Sequence, residues 1–188
     1  MKVDIFNTDK KYNIIYADPP WSYSAGGKVR NAKRHYPTMK PEEIYMVPVS
    51  NIAADNCILF LWATFPNLPQ ALETIKRWGF TYKTLGFVWV KRNIKSPGWF
   101  MGGGNWTRSN SEICLIGVKG RNKRVSASVR QVCDAPRMEH SRKPPEIRER
   151  IIELCGDLPR IELFARQHAD GWDCWGNETE KFDEEAIV

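Results

Sequence analysis

The chain has 188 residues, 42% of them hydrophobic and 27% charged, a globular composition sufficient for one sizeable core, so a single domain over 1–188 is expected. Its longest apolar run, Cys57 to Ala63, is far below membrane-spanning length, and Met1-Lys2-Val3-Asp4 lacks the layout of a secretory signal, which together predict a soluble cytoplasmic protein. The net charge of +6 points to an anionic partner, and five scattered cysteines with no C-x-x-C pair are read as reduced thiols, with no metal site expected.

Asn13 to Ala17 is a short, partly β-branched apolar run that ends in Asp18-Pro19-Pro20, a buried strand stopped by prolines. Ser22 to Lys40 follows with five Lys or Arg and no acid. Cys57 to Ala63 predicts a second buried strand, and Asn67-Leu68-Pro69 offers an N-cap and first-turn proline. Leu68, Ala71, Leu72, Ile75 and Trp78 continue at helical spacing and Gly79 closes that helix. Thr84 to Val90 and Glu112 to Val118 predict two more strands, joined by the Gly- and Lys/Arg-rich loop Lys91 to Ser111, in which Gly102-Gly103-Gly104 takes a structural or flexibility role. Lys119 to Lys143 carries eight basic residues against two acids. Pro144-Pro145 start a second helix with Ile147, Ile151 and Leu154 on one face and Gly156 near its end. Arg160 to Ala165 and Gly171 to Gly176 complete the strands, and the acidic tail, about 179–188, is expected to fray.

Apolar strands covered by amphipathic helices predict an α/β fold with a mainly parallel sheet and ligands at the carboxyl ends of its strands. Asp18 and Arg166 both fall at such ends. The two basic segments are expected to flank that site and to meet a polyanion, since Lys and Arg that neutralise phosphates release condensed counterions.

The Asp18-Pro19-Pro20-Trp21 turn suits one kind of chemistry well. An exocyclic amine on a nucleobase has a lone pair delocalised into the ring, which must be localised before the nitrogen can attack. The Asp18 carboxylate and the Pro19 carbonyl can accept hydrogen bonds from such an amine while the prolines fix both acceptors. Trp21 offers a stacking face for a base taken out of its helix. The alternative is a strand-end turn in which Asp18 caps and Trp21 packs.

Ala17-Asp18-Pro19-Pro20-Trp21 resembles the signature of the MT-A family of adenine-N6 methyltransferases. The resemblance extends through His35-Tyr36-Pro37-Thr38-Met39 with Glu42-Glu43-Ile44, Ile58 to Trp62, Trp89-Val90-Lys91, Cys114 to Gly120, His140 to Pro144 and Ile161 to Arg166. It covers about Tyr12 to Glu178. It implies a Rossmann-like class I methyltransferase fold in circularly permuted order, with the catalytic strand first and the cofactor strand last. This order accounts for the lack of a Gly-rich loop after the first strand.

The resemblance also implies roles. Asp18, Pro19, Pro20 and Trp21 would form the catalytic turn, and Trp21, Lys33, Arg34 and Tyr36 would meet the nucleic acid. Lys143, Phe164, Arg166, His168, Asn177 and Glu178 would line the S-adenosyl-L-methionine pocket, which Asp18 borders. Lys143 and Arg166 suit the methionine carboxylate, and Asn177 and Glu178 suit the ribose hydroxyls. One departure is Glu178, where the eukaryotic catalytic subunit has glutamine; both can accept from a hydroxyl. His35 is read as a solvent-facing side chain. The implied reaction is methyl transfer to adenine N6 in DNA, as in bacterial and phage members, leaving S-adenosyl-L-homocysteine. The same reaction on RNA and a non-catalytic nucleic-acid-binding partner subunit remain alternatives, and homodimer and partner-subunit arrangements stay open.

Overall fold

The apolar run before Asp18 forms strand β1 (Tyr12–Ala17), buried along nearly all of its length. The computed structural model describes residues 1–22, 38–104, 106–138 and 142–183. The remaining strands are β2 (Ala53–Ala63), β3 (Thr81–Arg92), β4 (Ser111–Lys119), β5 (Val132–Pro136), β6 (Arg160–Leu163) and β7 (Asp173–Trp175), in one sheet of spatial order β5-β3-β4-β2-β1-β6-β7. β1 lies in the middle, parallel to β2 on one side and to β6 on the other. β4 alone runs against its neighbours, β2 and β3, while β3–β5 and β6–β7 are parallel. The central trio therefore pairs the first strand of the chain with its sixth, the permuted order expected for this class of fold.

Alternation along β1 divides the core between the two faces of the sheet. Ile15 and Ala17 join Leu59, Leu61, Ile161 and Leu163 on one face. There they meet Ile44 of α1 (Pro41–Tyr45), Val49 and Ile52 of α2 (Val49–Ile52), and Ala71 and Ile75 of α3 (Leu68–Arg77). Ile14 and Tyr16 point the other way, with Phe60, Trp62, Phe87 and Cys114, onto Ile147, Ile151 and Cys155 of α4 (Glu146–Cys155). Helices thus cover both faces. No helix among the described residues is long and apolar enough to cross a membrane.

Two ends differ in detail from expectation. Asn67 occupies the N-cap position of α3, yet its side chain gives no cap bond and its amide donates to Thr64 Oγ1 at 3.1 Å. β6 stops at Leu163 because Phe164 turns to φ 59, in the left-handed region that costs a bulky residue about 1–3 kcal/mol. Such strain persists only where surrounding structure over-determines it, and Phe164 sits at the carboxyl edge beside Asp18.

Candidate functional site

Prolines at 19 and 20 cannot donate to a ladder, so β1 ends at Ala17, and the N–H of Asp18 makes a last, long contact with the Leu163 carbonyl at 3.5 Å. Beyond it the Pro19 carbonyl accepts from Trp21 N–H at 2.8 Å and the Pro20 carbonyl accepts from Met39 N–H at 2.9 Å. A carbonyl has two lone pairs, so the Pro19 oxygen keeps acceptor capacity. Trp21 is only 5% exposed. Its Nε1 donates to the Trp62 carbonyl at 2.9 Å, and Trp62 Nε1 donates to Tyr16 Oη at 2.7 Å. In this arrangement the Trp21 indole anchors the turn to the end of β2, and the buried ring presents no open stacking face.

Asp18 Oδ2 accepts from Lys143 Nζ at 2.5 Å, and the same ammonium lies 3.3 Å from Glu112 Oε2. Lys91 pairs with the other Glu112 oxygen, so two cations and two carboxylates alternate across the edge. Burial raises the Asp18 carboxyl above the ordinary aspartate value; Lys143 pulls against that rise and Glu112 adds to it. Burial also opposes ionisation of Glu112, but Lys143 and Lys91 hold it below the ordinary glutamate value. Lys143 itself is kept firmly charged by the two carboxylates, despite burial that favours its neutral form.

A second buried pair lines the same cleft as Asp18 and Lys143. Arg148 Nε and Nη2 donate to the two Glu162 oxygens at 2.6 and 2.9 Å, a bidentate contact. Arg148→Met is expected to destabilise the fold by about 3–5 kcal/mol by stranding Glu162, a loss that Arg148→Met/Glu162→Gln should largely recover. Urea midpoints of both variants check this.

Asp18 also borders a cavity of about 480 Å³. Its wall includes Pro20, Phe164, Arg166, Asn177 and Glu178. Arg166 Nε lies 3.8 Å from Glu178 Oε2, and Lys181 Nζ donates to Glu178 Oε1 at 2.8 Å. The Phe164 ring meets Trp175 edge-on, with centroids 5.2 Å apart. Lys143 lies off this wall, lining a narrower cleft with Asp18, Arg142 and Arg166. His168 stands apart: its N–H and Nδ1 engage the Asp183 carboxylate at 2.8 and 2.5 Å, and it does not line the larger cavity.

Lys33, Arg34, His35 and Tyr36 lie outside the described residues, as do His140, Ser141 and the end of the acidic tail. The basic run from Lys119 is a correction. Because β4 is reversed, Lys119 pairs with Cys57 at the amino-terminal edge of the parallel strands, and Arg121 N–H bonds the Asn56 side chain there. Lys119 to Arg124 therefore does not flank Asp18; of that run, Arg142 and Lys143 reach the site. Glu112 is the site residue missing from the sequence reading. A lone carboxylate at the start of an apolar strand is its signal, but placing it requires the direction of β4.

The sequence is similar to known methyltransferases. The chain is 38% identical over 191 residues to the Type II methyltransferase M.MunI of Mycoplasma sp., covering 90% of this chain and 78% of that protein. It is 30% identical over 181 residues to the N(6)-adenosine-methyltransferase MT-A70-like protein of Arabidopsis thaliana, covering 94% of this chain and 24% of that one. With the human N(6)-adenosine-methyltransferase catalytic subunit METTL3 the identity is 29% over 174 residues, covering 89% and 28%. Against these two eukaryotic relatives the chain thus spans about a quarter of their length. Residues 12–178, which include the Asp-Pro-Pro-Trp turn, Glu112, Lys143, Phe164, Arg166, Asn177 and Glu178, match the MT-A70 family, and the chain belongs to it.

Proposed function

We propose that this protein transfers a methyl group from S-adenosyl-L-methionine to the exocyclic N6 amine of adenine in DNA. The observation that carries this reading is that one carboxylate, Asp18, borders both the rigid Pro19 carbonyl and the cavity walled by Phe164, Arg166, Asn177 and Glu178. A volume of about 480 Å³ lies within the range of small-molecule sites. The donor set fits the cofactor: Arg166 for its carboxylate, Asn177 and Glu178 for its ribose hydroxyls, and the strained Phe164 for its adenine, whereas Lys143, expected beside the carboxylate, is off the wall and engaged by Asp18 and Glu112. When bound, that cofactor supplies an electrophilic methyl on a sulfonium sulfur.

The chain's own residues then act on the amine. Asp18 and the Pro19 carbonyl accept its N–H bonds and turn its lone pair toward the methyl. Lys143 keeps Asp18 ionised for that purpose, and Trp21 fixes the turn from beneath. Once the nitrogen has gained its methyl it must lose a proton, which Asp18 takes and passes to water. A nucleic-acid substrate and five buried free thiols suit a reducing, cytoplasmic setting.

DNA stands ahead of RNA because the chain matches most of the Type II methyltransferase but only about a quarter of the adenosine methyltransferases. Methyl incorporation into DNA and RNA of matched sequence separates the two, with DNA the expected acceptor. Asn177→Ala is expected to weaken cofactor affinity about tenfold through loss of a ribose contact. Calorimetric titration measures it, and an unchanged dissociation constant would remove Asn177 from the pocket.

A further inference from the structure

After β3 the chain leaves the sheet at the same edge as Asp18 and returns into β4; of this connection residues 93–104 and 106–110 are described. Its root is Lys91, paired with Glu112, which in turn shares Lys143 with Asp18. The first half folds back on itself: Arg92 and Trp99 form an antiparallel bridge, Asn93 N–H donates to the Gly98 carbonyl at 3.2 Å and Phe100 N–H to the Lys91 carbonyl at 2.7 Å. Arg137 lies 3.6 Å over the Phe100 ring and pins that half to the end of β5. The second half is closed by glycines. A Cβ on Gly102 would stand 2.0 Å from the Ser109 carbonyl oxygen, and one on Gly104 2.0 Å from that of Thr107. Backbone therefore touches backbone, and Trp106 is carried at the tip.

This built arm presents what cores normally hide. Trp106 is 100% exposed, and Trp99, Met101 and Ile94 are each more than 60% exposed. Its charges have one sign: residues 93–110 include Lys95 and Arg108 and no acid, while Lys91 and Arg92 at its root are paired with Glu112 and Asp134. Flat aromatic faces among cations match a partner that is both polyanionic and stacked, namely an unpaired nucleic-acid strand. A protein partner would cover the rings equally well but gives no reason for the exclusion of carboxylates.

Building on the methyltransferase reading, we propose that this arm grips the unpaired strand beside the target adenine. Trp106 and Trp99 stack on its bases, and Lys95 and Arg108 meet its phosphates. The arm supplies the open stacking surface that the buried Trp21 does not offer.

The test is fluorescence anisotropy with a labelled, adenine-containing single-stranded DNA oligonucleotide at several salt concentrations, with cofactor affinity measured separately by calorimetry. Trp106→Ala is expected to weaken oligonucleotide binding roughly ten- to hundredfold, and Trp106→Phe to keep most of it. Lys95→Gln/Arg108→Gln should flatten the slope of log affinity against log salt by about 1–2. Cofactor affinity should stay unchanged in all three variants. Wild-type oligonucleotide affinity in Trp106→Ala overturns the proposal. So does a change of oligomeric state in that variant with oligonucleotide affinity intact, which would make the arm a self-association surface. If the wild-type protein transfers no methyl group while Trp106→Ala still loses oligonucleotide affinity, the arm stands and the enzymatic reading falls.

Discussion

Replacing Asp18 with alanine is expected to lower the methyl-transfer rate at saturating substrates by about 10²–10³-fold or more, the usual effect of removing a preorganised charged partner from a reacting centre. Cofactor affinity should change much less, because Arg166, Asn177 and Glu178 line the cavity independently of this carboxylate. Asp18→Asn is the informative companion. It keeps one acceptor oxygen but loses the charge that Lys143 neutralises at 2.5 Å, so a small residual rate is expected. Near-normal turnover in Asp18→Ala would detach the Asp-Pro-Pro turn from the chemistry.

The second large effect belongs to Lys143. Its side chain is only 9% exposed and lies between Asp18 and Glu112, so Lys143→Met leaves two facing carboxylates without their shared cation. Removing one partner of a buried ionic cluster costs about 3–5 kcal/mol, and thermal unfolding should show most of that loss. The rate should also fall, with a diagnostic pH dependence. In the wild-type protein the rate should drop as pH falls through the Asp18 pKa, which burial places above the ordinary aspartate value. Lys143 holds that pKa down, so in Lys143→Met the acid limb of the profile should move further toward neutral. An acid limb that stays in place would show that Lys143 does not set the charge of Asp18.

The same cluster links stability to pH with opposite signs. Glu112 has a folded-state pKa below its unfolded value, so its contribution is present above the ordinary glutamate range and is lost as pH falls through the folded value. Asp18 has a raised folded-state pKa, so its ionised form costs stability above that pKa, and protonation relieves the cost. The wild-type fold therefore carries an ionised Asp18 at some expense, consistent with a carboxylate retained for reaction.

Elements with a strong local signal are legible in the sequence. The β-branched run before Asp18 forms β1, the helical spacing after Asn67 forms α3, and the Pro-Pro pair at 144–145 stands at the start of α4. β5 is not legible, because Val-Cys-Asp-Ala-Pro alternates exposed and buried positions over five residues and includes a proline, as an edge strand can. The site is partly legible for a related reason. Asp18, Phe164, Arg166, Asn177 and Glu178 follow strands whose carboxyl ends share one edge, so order along the chain brings them together. Glu112 depends on the reversal of β4, which no local pattern encodes, and that reversal also carries Lys119 to the far edge. Trp21 shows another limit: an indole beside a polar turn suits stacking and packing equally, and only the Nε1 contact with the Trp62 carbonyl distinguishes the two.

The most direct measurement is mass spectrometry of nucleosides after incubating the purified protein with adenine-containing DNA and isotopically labelled S-adenosyl-L-methionine. The expected product is labelled N6-methyladenine, formed by the wild-type protein and at least about a hundredfold less by Asp18→Ala. Label on cytosine, or N6-methyladenine formed equally by both proteins, would contradict the assignment of the Asp18 turn to the adenine amine.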